Sequence, residues 1–98
     1  MKTFWVIAKG VTDAYQSEDR AYLQDDVEMV EGTKTRIVQK WGICRSQSSF
    51  CVRFDSSEDA MREATKRLAQ EDDLTHIDIF KVVPVYNTYI GPRVIREK

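Results

Sequence analysis

Histidine occurs once in this chain, and cysteine, tryptophan and proline twice each. Each scarcity excludes some chemistry. Structural zinc sites pair cysteines two to four residues apart and add two further Cys or His ligands. Here Cys44 and Cys51 are separated by six residues and the only histidine is His76. The C-x-x-C spacing of thioredoxin-like redox sites is absent. A Cys–His nucleophile pair would need His76 beside a cysteine, and nothing in the sequence puts them together. There is no phosphate-binding loop, no dinucleotide glycine pattern, no H-E-x-x-H and no G-x-S-x-G. No apolar run approaches the ~20 residues of a membrane span. The run at residues 4–8 is shorter than the apolar region of a signal peptide. These absences predict a protein without catalytic signature, cofactor or metal, kept in a cytoplasm where thiols stay reduced.

What is present fits one small domain. Ninety-eight residues, 42% of them hydrophobic, can bury a single core without metals or disulfides. The net charge of −1 argues against wholesale binding to nucleic acid or membrane. TFWVIAK, residues 3–9, is a β-branched and aromatic run, predicting a central strand buried on both faces. GVTDAYQSEDR then reads as a loop, and Ala21-Tyr22-Leu23 as a short apolar island. VEMV and TKTRIVQKW flank Glu31-Gly32 and predict a hairpin with a two-residue turn.

The strongest local signal is FDSSEDAMREATKRLAQ. Asp55 or Ser56 can cap a helix, acids crowd its first turn, and Lys66 and Arg67 fall near its end. Ala60, Met61, Ala64 and Leu68 form an apolar stripe whose alanines allow close approach to a sheet. Glu58–Arg62 and Glu63–Arg67 are spaced for ion pairs. HIDIFKVV then reads as a strand ended by Pro84. The tail, with Gly91-Pro92, either adds a short edge strand or stays loose over residues 85–98. The order predicts an α+β fold: a mainly antiparallel sheet of four or five strands, with one helix at about 57–70 on one face.

WGICRSQSSFCVRF, residues 41–54, raises a separate question. If residues 41–45 and 50–54 paired as a hairpin, Cys44 would face Cys51 within reach of a disulfide. A reducing compartment favours two thiols filling core space instead.

Charge is arranged in bands. Residues 11–31 and 55–73 are mainly acidic, whereas residues 32–54 hold Lys34, Arg36, Lys40, Arg45 and Arg53 and no acid. The bland account is internal complementarity. One functional account makes the acidic segments a surface for a basic protein partner. The other makes the basic band, with Trp41 and Phe50, a phosphate-tracking and stacking surface for nucleic acid. Asp25-Asp26 and Asp72-Asp73 fall in expected turns, where paired carboxylates could take a cation but are usually solvated.

W-x12-F-D-S-S-E-D-A at residues 41–60, an alanine-spaced helix, a closing strand in V-x-P-V, and an opening FWVIAKG followed by a loop and A-Y-L together resemble small accessory proteins of bacteriophage genomes. The resemblance is one of layout over residues 3–83. Its motifs mostly encode capping and core packing, and residues 24–36 and the tail depart from it. No functional residue carries over. It implies a non-enzymatic protein that binds one host protein and inhibits or redirects it, in the host cytoplasm, as a monomer or homodimer. The expected partner-binding residues are Asp19, Asp25, Asp26, Glu28, Tyr86 and Tyr89. The alternative nucleic-acid surface uses Lys34, Arg36, Lys40, Trp41, Arg45 and Arg53. A small enzyme is the third reading.

Overall fold

The computed structural model describes residues 2–10, 20–32, 34–44, 46, 48–83 and 87–96. Five strands and one helix follow in the order β1 (Phe4–Lys9), β2 (Arg20–Val30), β3 (Lys34–Cys44), α1 (Ser57–Gln70), β4 (His76–Val83) and β5 (Asn87–Ile95). The sheet order is β3-β2-β1-β4-β5, and every neighbouring pair is antiparallel. This is the α+β layout that the sequence predicts.

The apolar run FWVIAK lies at the centre because only a strand covered on both faces can be apolar at consecutive positions. Its side chains alternate between two cores. On one face Ile7 joins Leu23, Leu74, Ile77 and Ile79 beneath Ala60, Ala64 and Leu68 of α1. On the other, Phe4, Val6 and Ala8 join Tyr22, Cys51, Phe80 and Val82.

The helix begins where its cap allows. The Ser56 hydroxyl accepts the Asp59 backbone N–H at 3.1 Å. Arg67 pairs with Glu63 at 2.9 Å, as the spacing predicts. Arg62 instead reaches Asp59, three residues back, at 2.9 Å. Met61 is exposed, so the buried stripe narrows to Ala60, Ala64 and Leu68.

Two local expectations are corrected, and two alternatives left open, for the cysteines and for the tail, are decided. The hairpin is longer than VEMV/TKTRIVQKW: β2 takes in the 21–23 island, and eleven consecutive pairs run from Arg20↔Cys44 to Val30↔Lys34. Its connection spans three residues rather than two, with Glu31 and Gly32 at φ 50° and 80°. Asp25 and Asp26 consequently lie in a strand rather than a turn.

The second correction concerns residues 50–54. They do not pair with β3. β1 and β2 meet at Ala8↔Tyr22 and then diverge, and this segment wedges into the fork. Cys51 bridges Gln24 of β2, and Phe54 exchanges two backbone hydrogen bonds with Trp5 of β1, at 2.8 and 2.9 Å. Third, Cys44 and Cys51 therefore lie on opposite sides of β2. Two strand spacings place their Cα atoms roughly 10 Å apart or more, beyond the ~7 Å limit for a disulfide.

Fourth, the tail contributes a nine-residue edge strand. Its register shifts between Asp78↔Arg93 and Phe80↔Ile90, leaving Gly91 and Pro92 together opposite Ile79. A bulge is where proline is tolerated, because no ladder N–H is required there. A Cβ on Gly91 would lie 2.9 Å from the Ile79 carbonyl oxygen, so the close approach needs glycine.

Among the described residues no helix lies over the second core. Ser46, two residues past the end of β3, shares a 2.6 Å hydrogen bond with Thr88 of β5. Two residues reach at most ~7 Å, whereas the edges of a flat five-stranded sheet lie roughly 19 Å apart. The sheet must therefore coil until its edges approach across this face, which helps enclose Tyr22, Phe80 and their neighbours.

Candidate functional site

Beyond Asp25, whose N–H bonds the Phe50 carbonyl at 2.8 Å, the described residues place no further strand against the inner side of β2. Residues 26–32 and 34–38 therefore project as a two-stranded ribbon. Strand alternation sorts its side chains. Val27, Met29, Thr35 and Ile37 share the face that carries Leu23 and Trp41, on the helix side. Asp26, Glu28, Lys34, Arg36 and Lys40 share the opposite face.

The helix-side face holds an unusual group. Val27 and Ile37 are directly opposite one another, with Met29 two residues on. They are 62%, 74% and 69% exposed. The helix covers the sheet only as far as Gln39 and Trp41: Arg67 donates to Gln39 Oε1 at 2.8 Å, and the Trp41 indole N–H reaches Glu71 at 3.0 Å. The apolar residues lie past that cover. On the other face charge is interleaved, with Arg36 2.9 Å from Glu28.

The expected site residues distribute as follows. Asp25, Asp26 and Glu28 all fall on β2, but Asp25 and Asp26 point to opposite faces and do not converge on one cation. Tyr89 lies on β5, at the far edge of the sheet. Lys34, Arg36 and Lys40 are together. Trp41 is on the other face, half-buried against the helix-side core, with the Lys9 ammonium 5.9 Å from its ring. Arg53 is remote from them, its guanidinium 4.2 Å from the Phe4 ring. Asp19, Tyr86 and Arg45 lie outside the described residues. The sequence reading missed Val27, Met29 and Ile37 as a surface, because apolar alternation in a strand ordinarily signals core.

A second polar group sits on the coiled face. Asp78 is buried, and Arg93 donates to it from Nε at 2.6 Å. This hydrogen bond, with the carboxylate's charge beside it, raises the Arg93 pKa above its ordinary value. His76 packs against Gly10, with Nε2 enclosed, lacking a hydrogen-bond partner and 4.0 Å from Asp78. Cys51 lies about four residues away along the strands, roughly 13 Å, too far for a Cys–His pair. Among the described residues no three His, Cys, Asp or Glu side chains group as metal ligands, and no helix is long and apolar enough to cross a membrane.

Compared with known proteins, the chain matches no family model, no curated protein and no solved structure.

Proposed function

We propose that this is a small non-enzymatic accessory protein, of the phage-encoded kind, that binds a host protein and modulates or inhibits it. The observation that carries the reading is the projecting ribbon with Val27, Met29 and Ile37 exposed at its helix-side face. A two-stranded ribbon is marginal alone in water. Contiguous apolar side chains on such an element mark a surface meant to be covered. Asp25, Thr35 and Gln39 lie on that same face and supply a polar rim around the apolar centre, the usual anatomy of a protein interface.

The nucleic-acid reading asks one face to offer both cations and a stacking aromatic. Trp41 is turned away from Lys34, Arg36 and Lys40 and held by Glu71. Two acids stand among those cations. Both features favour the protein-binding account.

The test is capture of partners from bacterial lysate by the tagged protein, with and without nuclease and at two salt concentrations. A Val27→Lys/Ile37→Lys double variant is run in parallel. The expected result is a stoichiometric protein that survives nuclease and salt and is lost with the variant, whose circular dichroism is unchanged. Capture that disappears with nuclease or falls steeply with salt would move the function to nucleic acid.

A further inference from the structure

We propose that the outer edge of β3 accepts an extended strand from the partner, acidic and apolar at alternating positions, as a sixth strand of the sheet. This deepens the protein-binding reading above and rests on it.

The two sheet edges differ. β5 is interrupted by the bulge at Gly91 and by Pro92, which has no N–H to offer. β3 runs eleven residues without a bulge or proline, and among the described residues nothing pairs with its outer side. An edge of this length is a template for strand addition.

Its side chains state what would fit. Lys34, Arg36 and Lys40 share one face; Thr35, Ile37 and Gln39 share the other. The chain already holds one strand matched to those rows. β2 places Glu28 opposite Arg36 and Asp26 beside it on the cationic face, with Val27 and Met29 on the Ile37 face. A strand on the outer side meets the same two rows and is matched by the same alternation. Opposite charges across a strand pair are favourable and like charges are not. Pairing with β3 of a second copy, in a closed two-fold arrangement, would gather both sets of Lys34, Arg36 and Lys40 on one face with no acid at the seam. The lysines thus discourage self-pairing and leave the edge open to an acidic strand.

The probe is a fluorescent synthetic peptide copying residues 24–30, QDDVEMV, with a control in which its three acids are replaced by lysine. The protein is the full chain and a Lys34→Glu/Lys40→Glu variant. Both positions are exposed, so folding is preserved and is checked by circular dichroism. Three results are expected. The acidic peptide binds saturably, and the lysine peptide does not. In the variant the preference inverts, with the acidic peptide roughly tenfold weaker or worse. On binding, backbone amides at alternate positions along residues 34–40 gain protection from hydrogen exchange.

Absence of binding, or protection at β5 instead, would overturn the proposal. So would concentration-dependent dimerisation that protects the β3 amides without peptide, which would assign the edge to a second copy. Tighter binding of a short oligonucleotide through the same lysines would assign it to nucleic acid. If peptide binding fails but partner capture still depends on Val27 and Ile37, the edge proposal falls and the protein-binding function stands. If both fail, both fall.

Discussion

The Trp41 indole N–H donates to the Glu71 carboxylate, 3.0 and 3.1 Å from its two oxygens, and so fastens β3 to the last turn of α1. Glu71 also lies 4.0 Å from Arg67, which reaches Gln39 on β3. Arg96 donates to the Glu71 and Leu74 carbonyls, tying the end of β5 to the turn that follows α1. Trp41→Phe keeps the ring packing but removes the donor from a half-buried carboxylate. The expected loss is about 1–2 kcal/mol in urea unfolding, with little change in affinity for any partner. A large loss of binding at unchanged stability would make Trp41 a contact residue instead.

Asp78 depends on Arg93 for its neutralisation. Arg93→Ala leaves a buried carboxylate whose one remaining basic neighbour among the described residues is His76, and burying an unpaired charge is costly. The variant should unfold at lower urea, and adding Asp78→Asn should recover part of the loss. The pH sign follows from the direction of the shift. A guanidinium whose folded pKa is raised contributes its stability fully below the unfolded value and loses it only as pH rises through the folded one. Both lie above the range in which proteins are handled, so the Arg93 guanidinium adds no pH dependence of its own near neutrality. Equal stability of wild type and Arg93→Ala would show that the pair is solvated and unimportant.

The cysteines give a prediction that needs no binding partner. Because Cys44 and Cys51 lie on opposite sides of β2, a reducing agent should leave the melting temperature unchanged. Cys51→Ala should cost about 1 kcal/mol through lost packing beside Tyr22 and Phe80. A fall in melting temperature on reduction alone would contradict the strand order at the wedge.

Much of the fold is legible before any coordinates. A continuous apolar run announces β1, a cap with acids and then bases announces α1, and HIDIFKVV announces β4. What is not legible is partnership. Residues 50–54 have the alternation of a strand, but alternation encodes a face and not a neighbour, so the tempting hairpin with residues 41–45 gives way to a wedge between β1 and β2. The polar stretch Gln24-Asp25-Asp26 hides the continuity of β2 because it lies where the ribbon leaves the core. At the candidate site, residue types are readable and faces are not: neighbouring Asp25 and Asp26 diverge, and Trp41 parts from the lysines beside it in sequence.

Gly91 tests the β5 edge. Alanine there brings a Cβ within 2.9 Å of the Ile79 carbonyl, backbone that cannot rotate away. Gly91→Ala should destabilise by about 1–3 kcal/mol, and the amides of β5 should exchange faster than those of β4. An unchanged melting temperature would mean that the tail strand is not held as described.

The ribbon should betray itself in exchange rates. Among the described residues, rows from Asp26↔Val38 to Val30↔Lys34 have two strands and no covering layer, whereas Tyr22↔Gly42 and Leu23↔Trp41 lie over the cores. Local opening costs least where few apolar contacts are lost. The amides of residues 26–32 and 34–38 should therefore exchange well before those at 22, 23, 41 and 42. For the same reason Ile37→Thr, a change at an exposed position, should shift stability by no more than about 0.5 kcal/mol, although Ile37 is large and β-branched. Slow exchange along the ribbon in the isolated protein, or a loss of several kcal/mol from Ile37→Thr, would mean that the face is already covered. The binding surface would then have to be sought elsewhere, beginning with Tyr89 and Ile90 on β5.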